Sequence, residues 1–250
     1  MRERLIGALL VVTYALTMVL APKDFYISLV YLLGIGMVAE LFAISRMESA
    51  KTAAAVIFSI LYFAGIHIPH ISFLIPSAGI LFLFSYFILI EGKVPEKFLV
   101  TAGFFIYLSM GVIAIGKLSK ELFILLLSIV WSVDTFAYLV GKYFGKHKLI
   151  PEISPKKTVE GAVGGTVGGV ITGSLIGNHL GVLEFSVLTF FILATLTAIS
   201  QIGDLLESFI KRFFGVKDSG NLIPGHGGLL DRLDSSLAVA PFLVIIGGLQ

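Results

Sequence analysis

Between Gly203 and Asp234 the chain gathers acids and bases as it does nowhere else. Asp204, Asp218, Asp231 and Asp234 join Glu207, Lys211, Arg212, Lys217, Arg232 and His226 within 32 residues. Carboxylates hold hard divalent cations through oxygen, while cations and glycine-flanked N–H groups hold anionic oxygens. The mixture suits phosphate chemistry. The runs on either side are apolar and of membrane length, where charge is costly and marks a functional site by default.

Asp204, Glu207, Ser208, Lys211 and Arg212 fall at i, i+3, i+4, i+7 and i+8, so a helix through them places all five on one face. An amphipathic helix lying on anionic headgroups has a similar pattern, but its polar face would not lead with two carboxylates. Asp231, Asp234 and Ser235 share a face in the same way. Complementing a helix macrodipole stabilises by about 0.3–1 kcal/mol per acid. That reading covers one Asp and fits Asp234 poorly, because a charge deeper in an apolar run costs roughly 2.5–3.5 kcal/mol. A bound cation would offset the cost.

The connection between these clusters holds Lys217, Asp218, Ser219 and Gly220, then Pro224, Gly225, His226, Gly227 and Gly228. Its N–H groups could converge on an anion, with Lys217 and His226 adding charge or donors. It lacks the phosphate-loop pattern of soluble nucleotide-binding proteins, and a flexible connection is the plainer alternative. Upstream, Asp134 lies inside an apolar run and should face protein or a polar cavity, with Tyr138 one turn on. A structural Asp bonded to a neighbouring helix competes with that reading. Ser154, Lys156, Lys157 and Thr158 form a basic, hydroxyl-rich segment that suits a polyphosphate, or merely the cytoplasmic flank of a span. Glu40 either snorkels or reaches the site; its role is open. His67, His70 and His179 sit at expected outer ends and read as interfacial residues, not a metal triad.

These residues must be carried by membrane helices. Of 250 residues, 57% are hydrophobic and 14% charged, against about a quarter charged in soluble domains. There is no cysteine, and a net charge of +2 does not point to nucleic acid. About 20 apolar residues cross a bilayer. Nine candidate spans result: 5–21, 25–45, 52–67, 71–90, 98–116, 121–141, 161–182, 185–203 and 229–249. The first exceeds a signal-peptide core and has no clean cleavage site before Pro22. With the N-terminus cytoplasmic, fifteen of the 18 basic residues fall on inner loops and three on outer ones, as the positive-inside rule requires. The 142–160 loop and the 204–230 segment then share the cytoplasmic side. The fold expected is all-α and polytopic: one membrane domain over 1–250, with N-terminal spans in 1–117 and a catalytic half in 121–250. Gly161, Gly165, Gly169, Gly173 and Gly177 form a small-residue stripe for close helix packing.

Ser208-x-x-Lys211-Arg212, Lys217-Asp218-Ser219-Gly220 and Pro224-Gly225-His226-Gly227-Gly228-x-x-Asp231-Arg232-x-Asp234 together resemble the signature of the phosphatidate cytidylyltransferase (CDP-diacylglycerol synthase) family. Trp131-x-x-Asp134-x-x-Ala137-Tyr138-x-x-Gly141 and Ser154-Pro155-Lys156-Lys157-Thr158-x-Glu160-Gly161 resemble it too. The first five spans resemble it in hydropathy only. The resemblance implies a membrane nucleotidyltransferase that makes CDP-diacylglycerol and pyrophosphate from CTP and phosphatidic acid, with magnesium, in phospholipid biosynthesis. It implies a helical enzyme of the cytoplasmic membrane, commonly a homodimer, with its active site on the cytoplasmic side. The family's metal-binding acids correspond to Asp204 and Asp231, holding Mg2+ and in one arrangement a second ion, with Asp234 and Asp218 as candidate further ligands. Lys211, Arg212, Lys217, His226 and Arg232 would neutralise the triphosphate and lipid phosphate. Further substrate contacts are expected from Asp134, Ser154, Lys156, Lys157, Thr158, Glu207, Ser208, Ser219, Gly227 and Gly228. Two readings compete: a cytidylyltransferase or kinase acting on an isoprenoid or ether-lipid phosphate, and a cation transporter or channel using Asp134, Asp204 and Asp231.

Overall fold

Runs of Leu, Ile, Val and Phe too long for strands set the elements of this chain. A computed structural model describes residues 2–46 and 95–248, with the isolated positions 77, 79, 81 and 85. Among the described residues seven helices run in chain order: α1 Arg2–Leu20, α2 Lys23–Ile44, α3 Pro95–Lys117, α4 Lys120–Phe144, α5 Val159–His179, α6 Val187–Phe213 and α7 Leu230–Gly247. Each covers one expected apolar run. Apart from those four isolated positions, the expected spans 52–67 and 71–90, with His67 and His70, lie outside the described residues. Among the described residues five helices, α2 to α6, are long and apolar enough to cross a membrane. α1 contributes a shorter apolar stretch, Leu5–Leu20. α7 carries Pro241 inside it. The chain is a helical, polytopic membrane protein.

α6 continues past its apolar part to Phe213, so the helix expected through Asp204 and Arg212 is present. One expectation needs correction. The segment 142–160 is not only a loop: β1 (Lys148–Ile150) and β2 (Ser154–Thr158) pair antiparallel, with Lys148 opposite Thr158 and Ile150 opposite Ser154. Thr158 ends the hairpin and caps α5, its hydroxyl accepting from the Gly161 N–H at 3.1 Å. Glu160 ties the hairpin's entry to α5. Its carboxylate accepts from the N–H groups of Lys146 and His147 at 3.1 to 3.3 Å and lies 2.6 Å from His147 Nδ1.

The chain divides into two compact units, one of residues 1–116 and 210–233, the other of 117–209 and 234–250. In the first, α2 is central. The Tyr14 hydroxyl of α1 donates to the Leu29 carbonyl at 2.8 Å, and the buried Tyr26 hydroxyl donates to the Ile115 carbonyl of α3 at 2.6 Å. Val38, Leu41, Phe42, Phe105 and Leu108 are sealed from solvent. In the second unit the glycine stripe of α5 packs as expected. A Cβ on Gly165 would lie 2.9 Å from the Val133 carbonyl of α4, and one on Gly169 would lie 2.6 Å from both Val133 and Thr197 of α6. Interhelical polar contacts reinforce this packing: Ser132 with Thr172 at 2.7 Å, and the Gln201 amide donating to Thr166 Oγ1 at 3.0 Å.

Candidate active site

In the first unit, α6 ends, a glycine-rich connection follows, and α7 begins. This places Lys211, Ser219 and Gly228 around the Asp231 carboxylate. Asp231 Oδ1 lies 2.5 Å from the Lys211 ammonium. Asp231 Oδ2 accepts from the Ser219 N–H at 2.9 Å, the Ser219 hydroxyl at 2.9 Å and the Gly228 N–H at 2.8 Å. The N–H groups of the connection therefore converge on a protein carboxylate. Gly227 (φ 83°) has the left-handed backbone that favours glycine, and a Cβ there would sit 2.5 Å from Asp231 Oδ2.

The turn is further tied by the Ile223 N–H to the Gly227 carbonyl at 2.9 Å, and by Arg232 Nε to the His226 carbonyl at 3.0 Å. His226 Nδ1 lies 3.3 Å from the Pro224 carbonyl. Arg212 donates to the Val216 carbonyl at 3.2 Å, closing the end of α6. Lys217, Asp218, Arg212 and Arg232 are exposed. Glu40, which the sequence left without a role, is buried against this loop. Its Oε1 accepts from the Leu229 N–H at 2.8 Å, and its Oε2 from the Leu230 N–H at 2.9 Å.

In the second unit, a cleft of about 440 Å³ opens between α4, the hairpin, α5 and α6. α4 lines it with Asp134, Tyr138 and Lys142, and the hairpin with Lys156, Lys157 and Thr158. α6 adds Gln201 and Asp204. The volume lies within the usual range for small-molecule sites, about 300–1,000 Å³. Lys157 pairs with Asp204, each side chain about three-tenths exposed. Ser208 lies 3.5 Å from the other Asp204 oxygen. Asp234 of α7 lies within electrostatic reach of Asp204, Glu207 and Asp134. Four carboxyl groups from three helices thus gather in this unit. Glu207 is buried, with 2% exposure.

The structure thus groups Lys211, Ser219, Gly228 and Asp231 in one unit, and Asp134, Lys156, Lys157, Thr158 and Asp204 around the cleft of the other. Ser154 is held in β2, opposite Ile150. Three residues carried too little signal to be placed from the sequence. Gln201 and Lys142 line the cleft; a polar residue one turn before Asp204 in an apolar run was the available clue for Gln201. For Glu40 it was a carboxylate inside a span.

Among the described residues, no group of three or more His, Asp or Glu side chains is arranged to hold a metal ion. Mg2+ does not require such a cage, since it is commonly held by one or two carboxylates together with substrate phosphates and water. Asp204 in the second unit and Asp231 in the first each present carboxylate oxygen, the donor type such an ion takes.

Membrane-length helices and a cleft lined in part by Asp134, Asp204 and three lysines define a polytopic membrane protein. A profile of the cytidylyltransferase family matches residues 2–249, and the chain belongs to that family. It is similar to the phosphatidate cytidylyltransferase of Staphylococcus aureus (strain COL), 46% identical over 121 residues, covering 47% of this chain and 45% of that one. The Bacillus subtilis (strain 168) protein of the same name is 45% identical over 118 residues, covering 47% and 44%. That of Staphylococcus epidermidis is 44% identical over 118 residues, covering 47% and 45%. In these alignments the chain spans a little under half the length of the relatives it matches.

Proposed function

We propose that this protein transfers the cytidylyl group of CTP to phosphatidic acid, giving CDP-diacylglycerol and pyrophosphate. The observation that carries the reading is the cleft in which Lys142, Lys156 and Lys157 stand beside Asp204 at the polar end of α6. Family membership and the names of the relatives support it.

In the proposed reaction, an oxygen of the lipid phosphate attacks the α-phosphorus of CTP. The new P–O bond forms as the bond to the bridging oxygen breaks, and pyrophosphate leaves with the electron pair. A phosphate monoester has a second pKa of about 6, so the nucleophile is largely a dianion at neutral pH and needs no strong base. The barrier is anion meeting anion, which fixed cations and preorganised donors lower. Lys156 and Lys157 are proposed to hold the triphosphate at the cleft. Lys211, Arg212, Lys217, His226 and Arg232 are proposed to neutralise reacting phosphate charge.

Asp204 and Asp231 are each proposed as carboxylate ligands of Mg2+. Asp204 stands on the rim of the cleft, and at Asp231, whose oxygens already accept from Lys211, Ser219 and Gly228, an ion would take the place of the Lys211 ammonium. When bound, the ion would supply charge neutralisation on phosphate oxygen.

Nine spans, a cytoplasmic N-terminus, a cytoplasmic-side site in the cell membrane and a homodimer complete the proposal. The 15-to-3 split of basic residues supports the orientation. Since the chain has no cysteine, single introduced cysteines would report topology without background.

The test is magnesium-dependent incorporation of labelled CTP into a lipid-soluble product by the purified chain, with diacyl and isoprenoid phosphates as parallel acceptors. Label in the diacyl product alone is expected. Label only in the isoprenoid product would move the reading to that lipid. Ion flux in liposomes with no CTP consumed would replace it by a transporter.

A further inference from the structure

Glu40 performs no chemistry in the reaction proposed above, yet it is among the most engaged carboxylates of the first unit. It sits in α2 with 9% exposure. It closes the first turn of α7 from 190 residues away, through the Leu229 and Leu230 N–H groups. Its Oε2 also lies 3.0 Å from the Ser219 hydroxyl, which lies 2.9 Å from Asp231 Oδ2. A serine hydroxyl has one proton. It donates to one of these carboxylates at a time, so Glu40 and Asp231 compete for one donor.

Capping alone does not explain this arrangement. A helix N-terminus is ordinarily satisfied by a local Ser, Thr, Asp or Asn. Here a remote carboxylate is buried for the purpose, and burying such a group is costly unless its surroundings hold it. The surroundings are shaped to fit. A Cβ on Gly228 would lie 2.5 Å from both Glu40 oxygens and 2.2 Å from Ser219 Oγ, and one on Gly220 would lie 3.0 Å from Glu40 Oε1. Two glycines leave room for the carboxylate beside the hydroxyl that it shares with Asp231.

We infer that Glu40 is a positioning residue: through Ser219 and the first N–H groups of α7 it sets the orientation of Asp231 and the donors that reach it. The inference rests on the role proposed for Asp231 in nucleotidyl transfer.

The experiment compares the full chain with Glu40→Gln, Ser219→Ala and the double variant. Glu40→Gln keeps one acceptor oxygen and turns an NH2 towards the other N–H. Each single variant should lower kcat by up to about a hundredfold, the scale for misplacing a catalytic group by about 1 Å, with KM for CTP unchanged. Because the two variants share the Ser219 link, the loss in the double variant should be smaller than the product of the single losses. Losses that multiply in the double variant overturn the inference, as does wild-type kcat in Ser219→Ala, which leaves the α7 cap intact. Hydrogen exchange over residues 219–231 gives a second reading that needs no turnover. It should quicken in Glu40→Gln, and unchanged exchange overturns the inference. Wild-type chain that consumes no CTP, with exchange quickened in the variant, would instead count against the proposed reaction and leave the positioning role standing.

Discussion

The Lys211 ammonium lies 2.5 Å from Asp231 Oδ1, and the two side chains keep only 13% and 6% of their exposure. This pair links the end of α6 to the first turn of α7. Removing one member of a buried ion pair typically costs about 3–5 kcal/mol, because the other charge is left uncompensated. Lys211→Met is therefore expected to lower the detergent Tm sharply and to abolish pyrophosphate release. Adding Asp231→Asn removes the stranded charge, so the double variant should regain most of the Tm and stay inactive. Thermal unfolding followed by circular dichroism, run beside a pyrophosphate assay, checks both halves. A double variant no more stable than Lys211→Met would show that the pair does not carry this stability.

Lys157 and Asp204 form the contrasting pair. Their side chains are 28% and 30% exposed, and exposed pairs contribute about 0–1 kcal/mol, less at high salt. Lys157→Ala should leave Tm close to wild type, yet raise KM for CTP, because the lysine lines the cleft proposed to hold the triphosphate. Steady-state kinetics at two ionic strengths test this. A large Tm loss with unchanged KM would assign Lys157 to structure alone.

The helices were legible in the sequence because a membrane span needs length and apolarity, and both are written locally. The shared face of Asp204, Glu207, Ser208 and Lys211 was legible for the same reason, since helical spacing fixes it. Partners were not. Asp204 is met by Lys157 and Asp231 by Lys211, and spacing could not show these partners, because pairing across separate elements depends on packing. The hairpin was hidden by its three- and five-residue strands and by Pro151 and Pro155, which read as loop. Glu40 was visible as an anomaly, but its hydrogen bonds reach residues 179 to 190 positions away.

The glycine stripe of α5 makes a packing prediction separate from the chemistry. Gly169 faces Val133 of α4 and Thr197 of α6, and a Cβ would come within 2.6 Å of each. Gly169→Val should push both neighbours away, at the 1–3 kcal/mol cost typical of overpacking (about 2 kcal/mol). Gly103 of α3 is the control, since a Cβ there meets nothing within 4 Å. Gly103→Ala should leave Tm unchanged or raised, as alanine is the better helix former. Equal Tm losses in the two variants would refute close packing along the α5 stripe.

Gly228 makes a prediction that joins packing to chemistry. Its N–H donates to Asp231 Oδ2 at 2.8 Å, and an added Cβ would meet Ser219 Oγ at 2.2 Å and both Glu40 oxygens at 2.5 Å. These atoms cannot all stay in place. Gly228→Ala must displace the serine, the glutamate or its own N–H, and each displacement changes the donors on Asp231. Turnover should fall by roughly a hundredfold, as for loss of a preorganised donor. Stability should fall by only about 1–3 kcal/mol, so the protein remains folded in detergent. Measuring kcat and Tm on one preparation separates the two effects. Wild-type kcat in Gly228→Ala would mean that the convergence of Ser219, Gly228 and Glu40 around this carboxylate has no part in the reaction.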